Sequence, residues 1–178
     1  MPDKIFLRQP FEDGMRTWTW QQAGDEARRM ARGLQQLGLQ KGDRVALLSK
    51  NCAHWIMADI AIMMGGFVSV PLYATITAET IQQILDHSGS KAIIIGKLDH
   101  FATQAAGIPE RVADIHVEAY GNRGTYSWEA WLQEHMPLAQ PLLPTDDEEL
   151  LTVMYTSGTT GNPKGVMHTV GTFRNTTN

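Results

Sequence analysis

Apolar residues recur at helical spacing from position 23 to position 37, as Ala23, Ala27, Met30, Ala31, Leu34 and Leu37, with Arg28, Arg29 and Arg32 set between them. Residues three and four apart share one face of a helix, so this pattern predicts an amphipathic helix lying on a sheet, its arginines in water. Thr19 and Gln22 have the spacing of a capping box at its start, and Gly38 ends it. Thr17 to Trp20 alternates and predicts a short edge strand before the helix. Further on the pattern changes. Val45–Leu48, Phe67–Val70, Lys91–Ile95 and Ile115–Val117 are short continuous apolar runs, as found in parallel strands buried on both faces.

Helical patterns separate these runs. Asn51 can cap a second helix carrying Trp55, Ile56, Ile60, Met63 and Met64, apolar nearly all round and therefore read as buried, with Gly65 and Gly66 to stop it. Pro71 is expected to close the second strand. Thr77 can cap a third helix in which Ile81, Ile84 and Leu85 face inward and Glu79, Gln82, Gln83 and Asp86 face water. A weaker helix falls near 99–106. Strand and helix alternate, so the chain is predicted to be α/β, with right-handed crossovers, a mostly parallel sheet and flanking helices.

The C-terminal third breaks the alternation. Ser127 to Leu132 predicts a short helix, and Pro137, Pro141 and Pro144 an irregular connector running into Asp146, Asp147, Glu148 and Glu149. Adjacent carboxylates diverge in direction and no distant ligands accompany them, so this run is read as solvated and no metal ligands are assigned. Leu150–Tyr155 and Gly165–Thr169 are the last two strands. The expected organisation is a βαβ-type scaffold over 1–136, a Pro-rich acidic connector over 137–149, and a strand-loop-strand unit over 150–170.

At 178 residues and 43% hydrophobic, the chain can bury one sizeable core. A formal net charge of −4 without a basic face argues against nucleic acid as a partner. Cys52 stands alone, which excludes an internal disulfide and fits a reducing, cytoplasmic setting. No apolar stretch is long enough to span a bilayer; peripheral membrane contact stays open.

The chemistry concentrates in YTSGTTGNPKGV, from Tyr155 to Val166, between the last two strands. Gly158 and Gly161 let backbone N–H groups approach an anion. Thr156, Ser157, Thr159 and Thr160 add hydroxyl donors. Asn162 and Pro163 make a turn that presents Lys164, the one formal charge, from a constrained position. This reads as a phosphate-holding loop. It is not the loop of the P-loop nucleotidases, in which lysine follows glycine directly and Ser/Thr follows lysine. A plain Gly/Thr hairpin is the alternative on the residues alone.

The same string resembles the signature loop of the adenylate-forming superfamily, which includes acyl-CoA synthetases, luciferases and the adenylation domains of peptide synthetases. The resemblance extends through Thr17 to Gln22, LGLQKGDRV from Leu37, Leu48 to Asn51, and GFVSVPLY from Gly66. AETIQQIL from Ala78 is similar to the long-chain fatty acyl-CoA synthetase branch. What the resemblance implies is the first subdomain of the large N-terminal domain of an AMP-forming acid–CoA ligase. Such an enzyme joins a carboxylic acid to ATP, with Mg²⁺, to give an acyl-adenylate and pyrophosphate, and then transfers the acyl group to coenzyme A. Thr156, Ser157, Gly158, Thr159, Thr160, Gly161 and Lys164 would hold the phosphates, Lys164 acting catalytically by stabilising the leaving pyrophosphate.

The sequence departs from the family at one nearby point. Members often carry a Thr-His step after the lysine-glycine pair, whereas here Thr169 is followed by Val170 and preceded by His168, which is read as a packed strand-end histidine. The acyl pocket, the adenine and ribose motifs, the acidic magnesium ligand and the lysine of the C-terminal domain all lie beyond Asn178 in the family. The expectation is therefore a truncated piece, inactive by itself and prone to self-association through exposed apolar surface. A non-catalytic phosphate-binding, nucleotide-binding or interaction module derived from the same family is the alternative.

Overall fold

The computed structural model of the chain describes residues 1–156 and 163–176. Two sheets are present among them. β1 (Ile5–Phe11) and β2 (Gly14–Thr19) form an antiparallel hairpin. Seven further strands make one sheet: β3 (Arg44–Leu48), β4 (Val68–Leu72), β5 (Ala92–Ile95), β6 (Ala113–His116), β7 (Tyr126–Ser127), β8 (Leu150–Thr156) and β9 (Lys164–Thr169), ordered β7-β6-β5-β3-β4-β8-β9. Every pair in it is parallel except β8 with β9. The predicted α/β class with a mostly parallel sheet is thus the observed one.

The continuous apolar runs are strands covered on both faces. Val45 and Leu47 of β3 and Ala92 and Ile94 of β5 join one core, with α1 (Trp20–Gln36), α2 (Ala53–Met64) and α5 (Trp128–Glu134) packed over it. The alternating residues Ala46, Leu48, Ile93 and Ile95 join a second core with Ile81, Ile84 and Leu85 of α3 (Ala78–Ser88). Phe101 of the short α4 (Phe101–Gln104) packs on that second core. Side chains point to opposite faces in turn along a strand, so each run feeds both cores at once.

Local signals start the helices. At α1 the predicted capping box forms in full: Gln22 N–H donates to Thr19 Oγ1 at 3.2 Å and Thr19 N–H donates to Gln22 Oε1 at 2.9 Å. Thr77 caps α3 and Ser127 caps α5 through their hydroxyls. Gly38, at φ 88°, takes the left-handed turn after α1 that a side chain would strain. Of the three arginines, Arg28 and Arg32 are exposed. Arg29 pairs with Asp25 at 2.7 Å and donates to the carbonyls of Leu132 and His135, tying α1 to the end of α5.

Four expectations change. β1 is a strand the sequence pattern did not signal. The cap of α2 is not Asn51: the N-cap position is Cys52, which makes no side-chain cap bond, and Ala53 N–H donates instead to Gln9 Oε1 at 3.1 Å, from β1. α2 is also not buried all round. Ala53, His54, Met57, Ala58, Ala61 and Ile62 are covered, whereas Ile56 is exposed and Trp55, Ile60, Met63 and Met64 are half-buried. Finally, Pro71 does not close β4, which runs on to Leu72. Val68 N–H donates to Asp43 O on the β3 side, so Pro71 turns its donor-less nitrogen toward β8. There the ladder is a single bridge, Ser69 with Thr152.

The stretch 137–149 has no regular structure but is tied down. Leu138 N–H donates to Arg28 O and Leu142 N–H to Met64 O, carrying the chain past α1 and α2 to β8. In its acidic run Asp146 and Glu148 are exposed, while Asp147 and Glu149 are half-buried and paired. Lys41 lies 2.7 Å from Glu149 and, with the Thr145 amide, holds that carboxyl down to about 2. Arg174 pairs with Asp147 at 2.7 Å, joining the run to α6 (Val170–Thr176).

Candidate functional site

β8 runs parallel to β4, so Thr156 lies at the carboxyl end of the sheet, the edge at which open α/β sheets bind ligands. Across the hairpin Thr156 faces Lys164, and both are exposed. Of the predicted phosphate-loop residues these two are described and brought together. Ser157, Gly158, Thr159, Thr160 and Gly161 lie outside the described residues. No ion pair engages Lys164 among the described residues.

One rung back, Tyr155 faces Gly165. A Cβ on Gly165 would meet Val153 Cγ1 at 2.8 Å and Tyr155 Cζ at 3.2 Å, so the tyrosine ring and the valine occupy the space a side chain would need. Tyr155 is buried, and its hydroxyl and His87 Nδ1 share a 2.7 Å hydrogen bond that reaches α3. Burial pushes the tyrosine hydroxyl's pKa up. His168, half-buried and paired in register with Thr152, sets its ring 5.8 Å from that of Phe173.

A crevice lies beside this stem, where the paired ladder between β4 and β8 is the single Ser69–Thr152 bridge. It holds about 550 Å³ and is lined by Lys50 and Asn51 after β3, Tyr73 after β4, Trp55 of α2, and Met154 and Tyr155 of β8. Lys50 forms an ion pair with Asp99 at its rim. Trp55, Pro71 and Met154 are shared with a second crevice of about 350 Å³ along α2. Asp59 in that crevice accepts a hydrogen bond from Ser69 Oγ at 2.6 Å, and burial raises its pKa. The sequence reading did not pick out these linings. The available signal was positional: Lys50, Asn51 and Tyr73 directly follow the carboxyl ends of parallel strands.

Chemically, a cation and a hydroxyl stand side by side at the ends of two strands, beside a mixed polar and apolar cleft. That arrangement suits an oligophosphate carrying a less polar group. No group of three or more His, Cys, Asp or Glu side chains able to hold a metal gathers among the described residues. No helix among them is long and apolar enough to cross a membrane.

Comparison with known proteins defines the class. The chain belongs to the family described as AMP-binding enzyme, whose profile matches residues 1–178. It is 34% identical to fatty acyl-CoA synthetase A of Dictyostelium discoideum over 92% of this chain and 27% of that protein. Peroxisomal long chain acyl-CoA synthetase 7 of Arabidopsis thaliana is 33% identical over 89% of this chain and 24% of its own length. The chain thus spans about a quarter of the length of the curated relatives it matches. The crystal structure of an acyl-CoA synthetase from Brucella canis superposes with a TM-score of 0.78 at 22% identity, over 96% of this chain and 31% of that one, and shows the same fold.

Proposed function

We propose that this chain forms the phosphate-gripping part of an AMP-forming acid–CoA ligase acting on a long-chain fatty acid. The observation that carries the reading is the Thr156–Lys164 rung, exposed at the carboxyl end of the sheet and flanking the glycine-rich stretch 157–162. A carboxylate attacks the α-phosphorus of MgATP; the bond to the bridging oxygen breaks and pyrophosphate leaves with the electron pair. Lys164 and the hydroxyls of Thr156, Ser157, Thr159 and Thr160, with backbone N–H groups about Gly158 and Gly161, bind the β- and γ-phosphates and offset the charge growing on the leaving group. One ammonium cannot balance a triphosphate, so magnesium enters with the nucleotide as part of the substrate. The acyl-adenylate is then captured by the thiol of coenzyme A with release of AMP. The names of the two relatives support the fatty acid as the acid. The single buried cysteine, Cys52, suits a reducing compartment such as the cytoplasm.

The test is carboxylate-dependent ATP–pyrophosphate exchange by the complete open reading frame that contains this chain. Exchange with palmitate or another long-chain acid is expected. Lys164→Ala should slow it about 10²-fold to 10³-fold, the usual cost of one charge-stabilising donor. Thioester formation from preformed acyl-adenylate should be much less affected. Absence of exchange with every acid offered, or equal damage to both half-reactions, overturns the reading.

A further inference from the structure

His87 and Tyr155 have no part in the phosphate contacts proposed above, yet they occupy the place from which those contacts are aimed. Tyr155 immediately precedes Thr156 and lies across the hairpin from Gly165, which immediately follows Lys164. Its side chain is the only one in the Tyr155–Gly165 rung. The ring fills the space above Gly165, and its buried hydroxyl leaves the hairpin for α3. There it meets His87 Nδ1 at 2.7 Å, with the two rings edge to face at 5.7 Å and 89°. Next to His87, the Ser88 carbonyl accepts from Arg44 Nε at 2.7 Å, so the receiving end is itself fastened to β3. The main-chain ladder from β8 to the rest of the sheet is the Ser69–Thr152 bridge, well short of Thr156. Past that bridge β8 is held to β4 by side chains, Val153 and Tyr155 packing with Val70 and Leu72, and a crevice lies along its other face.

We infer that His87 and Tyr155 are positioning residues that hold the Thr156–Lys164 rung at the height and angle from which it meets the polyphosphate. This rests on the phosphate-gripping reading. The hydroxyl–imidazole bond fixes the outer end of β8 to a rigid helix terminus, and the absence of a side chain at Gly165 lets Tyr155 reach it. A bolt of this kind acts on the bound nucleotide and leaves the carboxylate contacts alone. A purely structural bond would instead lower the amount of folded enzyme without changing its KM for MgATP.

Tyr155→Phe removes only the hydroxyl, His87→Phe removes the nitrogen, and His87→Asn places an amide near the position of Nδ1. In the exchange assay on the complete open reading frame, both Phe variants are expected to raise KM for MgATP about fivefold, the worth of one hydrogen bond. KM for the fatty acid should be unchanged. The double Phe variant should be no worse than the worse single one, because both delete the same bond, and His87→Asn should recover most of the loss. An unchanged KM for MgATP in Tyr155→Phe, in a protein where Lys164→Ala is impaired, overturns the inference and leaves the phosphate grip standing. Additive effects of the two Phe substitutions also overturn it. Exchange insensitive to Lys164→Ala removes the grip and this inference with it.

Discussion

The described residues include two antiparallel hairpins of nearly equal extent, and they are fastened to the rest of the fold in different ways. In β1–β2 the side chains that point inward are buried: Leu7, Gln9 and Trp18 are each less than 10% exposed. In β8–β9 Thr152, Val153 and Tyr155 are likewise buried, but Met154, Val166 and Met167 are 42%, 45% and 68% exposed. The first hairpin makes no ladder with the main sheet and is fastened by side chains instead. Gln9 caps α2; Phe11 stacks on Tyr120 at 5.3 Å; Trp18 Nε1 donates to Glu26 Oε1 at 2.7 Å. The second joins the sheet by backbone, through one bridge, and uses one buried ring, Tyr155, to reach α3. One hairpin is a plug whose tip is closed on itself, Arg16 pairing with Asp13 and lying over the Phe11 ring. The other keeps Thr156 and Lys164, its last described rung, exposed, which suits the grip proposed above.

Acid should act most strongly on the plug. His54 lies in the cluster beneath β2, with its ring edge-on to Trp18 at 5.3 Å and Nδ1 sharing a 2.9 Å hydrogen bond with the Tyr120 hydroxyl. Burial, aided by the nearby Arg16 charge, lowers its pKa from 6.5 to about 4. The unfolded chain takes up its proton near 6.5 and the folded one only near 4. Stability from this group is therefore complete above pH 6.5 and is lost as pH falls toward 4, by at most ~3 kcal/mol. Glu26, whose pKa burial raises above 4.5 against the Trp18 and Trp128 indole donors, contributes in the opposite sense, losing stability as pH rises past 4.5. The two separate in a difference measurement. Urea unfolding of wild type and His54→Gln at pH 7 and pH 5 should show the wild type losing more stability on acidification. Equal losses would remove His54 from the account of the plug.

The second hairpin should be tight on its buried face and soft on its exposed one. Gly165→Ala forces a Cβ to within 2.8 Å of Val153 Cγ1 and 3.2 Å of the Tyr155 ring, an overpacking expected to cost ~1–3 kcal/mol. Met167→Ala, at a residue 68% exposed, should fall within ~0.5 kcal/mol of wild type. Thermal unfolding of the pair measures this. Similar losses from both would mean that the hairpin is packed along its whole length, and the contrast with β1–β2 would be lost.

What the sequence showed and what it hid divide along the same line. α1 and α3 were legible because their caps are local: Thr19 with Gln22, and Thr77 with Thr80, lie within one turn. β3 and β5 were legible because both faces are covered and the run is apolar throughout. β1 was not, since IFLRQPF contains a proline and a buried glutamine where alternation would place an apolar residue. Pro71 inside β4 was misread because whether a strand tolerates proline depends on its neighbour, here the single bridge to β8. The glycine-rich motif proposed to hold phosphate was legible in the sequence, whereas the rung beside it, Thr156 with Lys164, and the tie from Tyr155 to His87 were not. That tie joins residues 68 positions apart, which no local pattern encodes.

The smallest expected effect concerns the cap of α2, which sequence spacing assigned to Asn51 and the structure assigns to Gln9. Gln9 is 5% exposed; Oε1 accepts from Ala53 N–H at 3.1 Å and Nε2 donates to its neighbour's carbonyl, Pro10 O, also at 3.1 Å. Removing that side chain leaves a buried amide at the first turn of α2 without its acceptor, at a cost of ~1 kcal/mol, the usual worth of a cap. Asn51 is exposed and outside the helix, so Asn51→Ala should cost within ~0.5 kcal/mol. Hydrogen exchange provides the sharper readout. In Gln9→Ala the Ala53 amide should exchange faster than in wild type, while amides in the middle of α2 slow or quicken only with global stability. If Asn51→Ala proved the more damaging substitution, α2 would be capped from its own chain segment, and the first hairpin would lose the contact that joins it to the helix bordering the crevice.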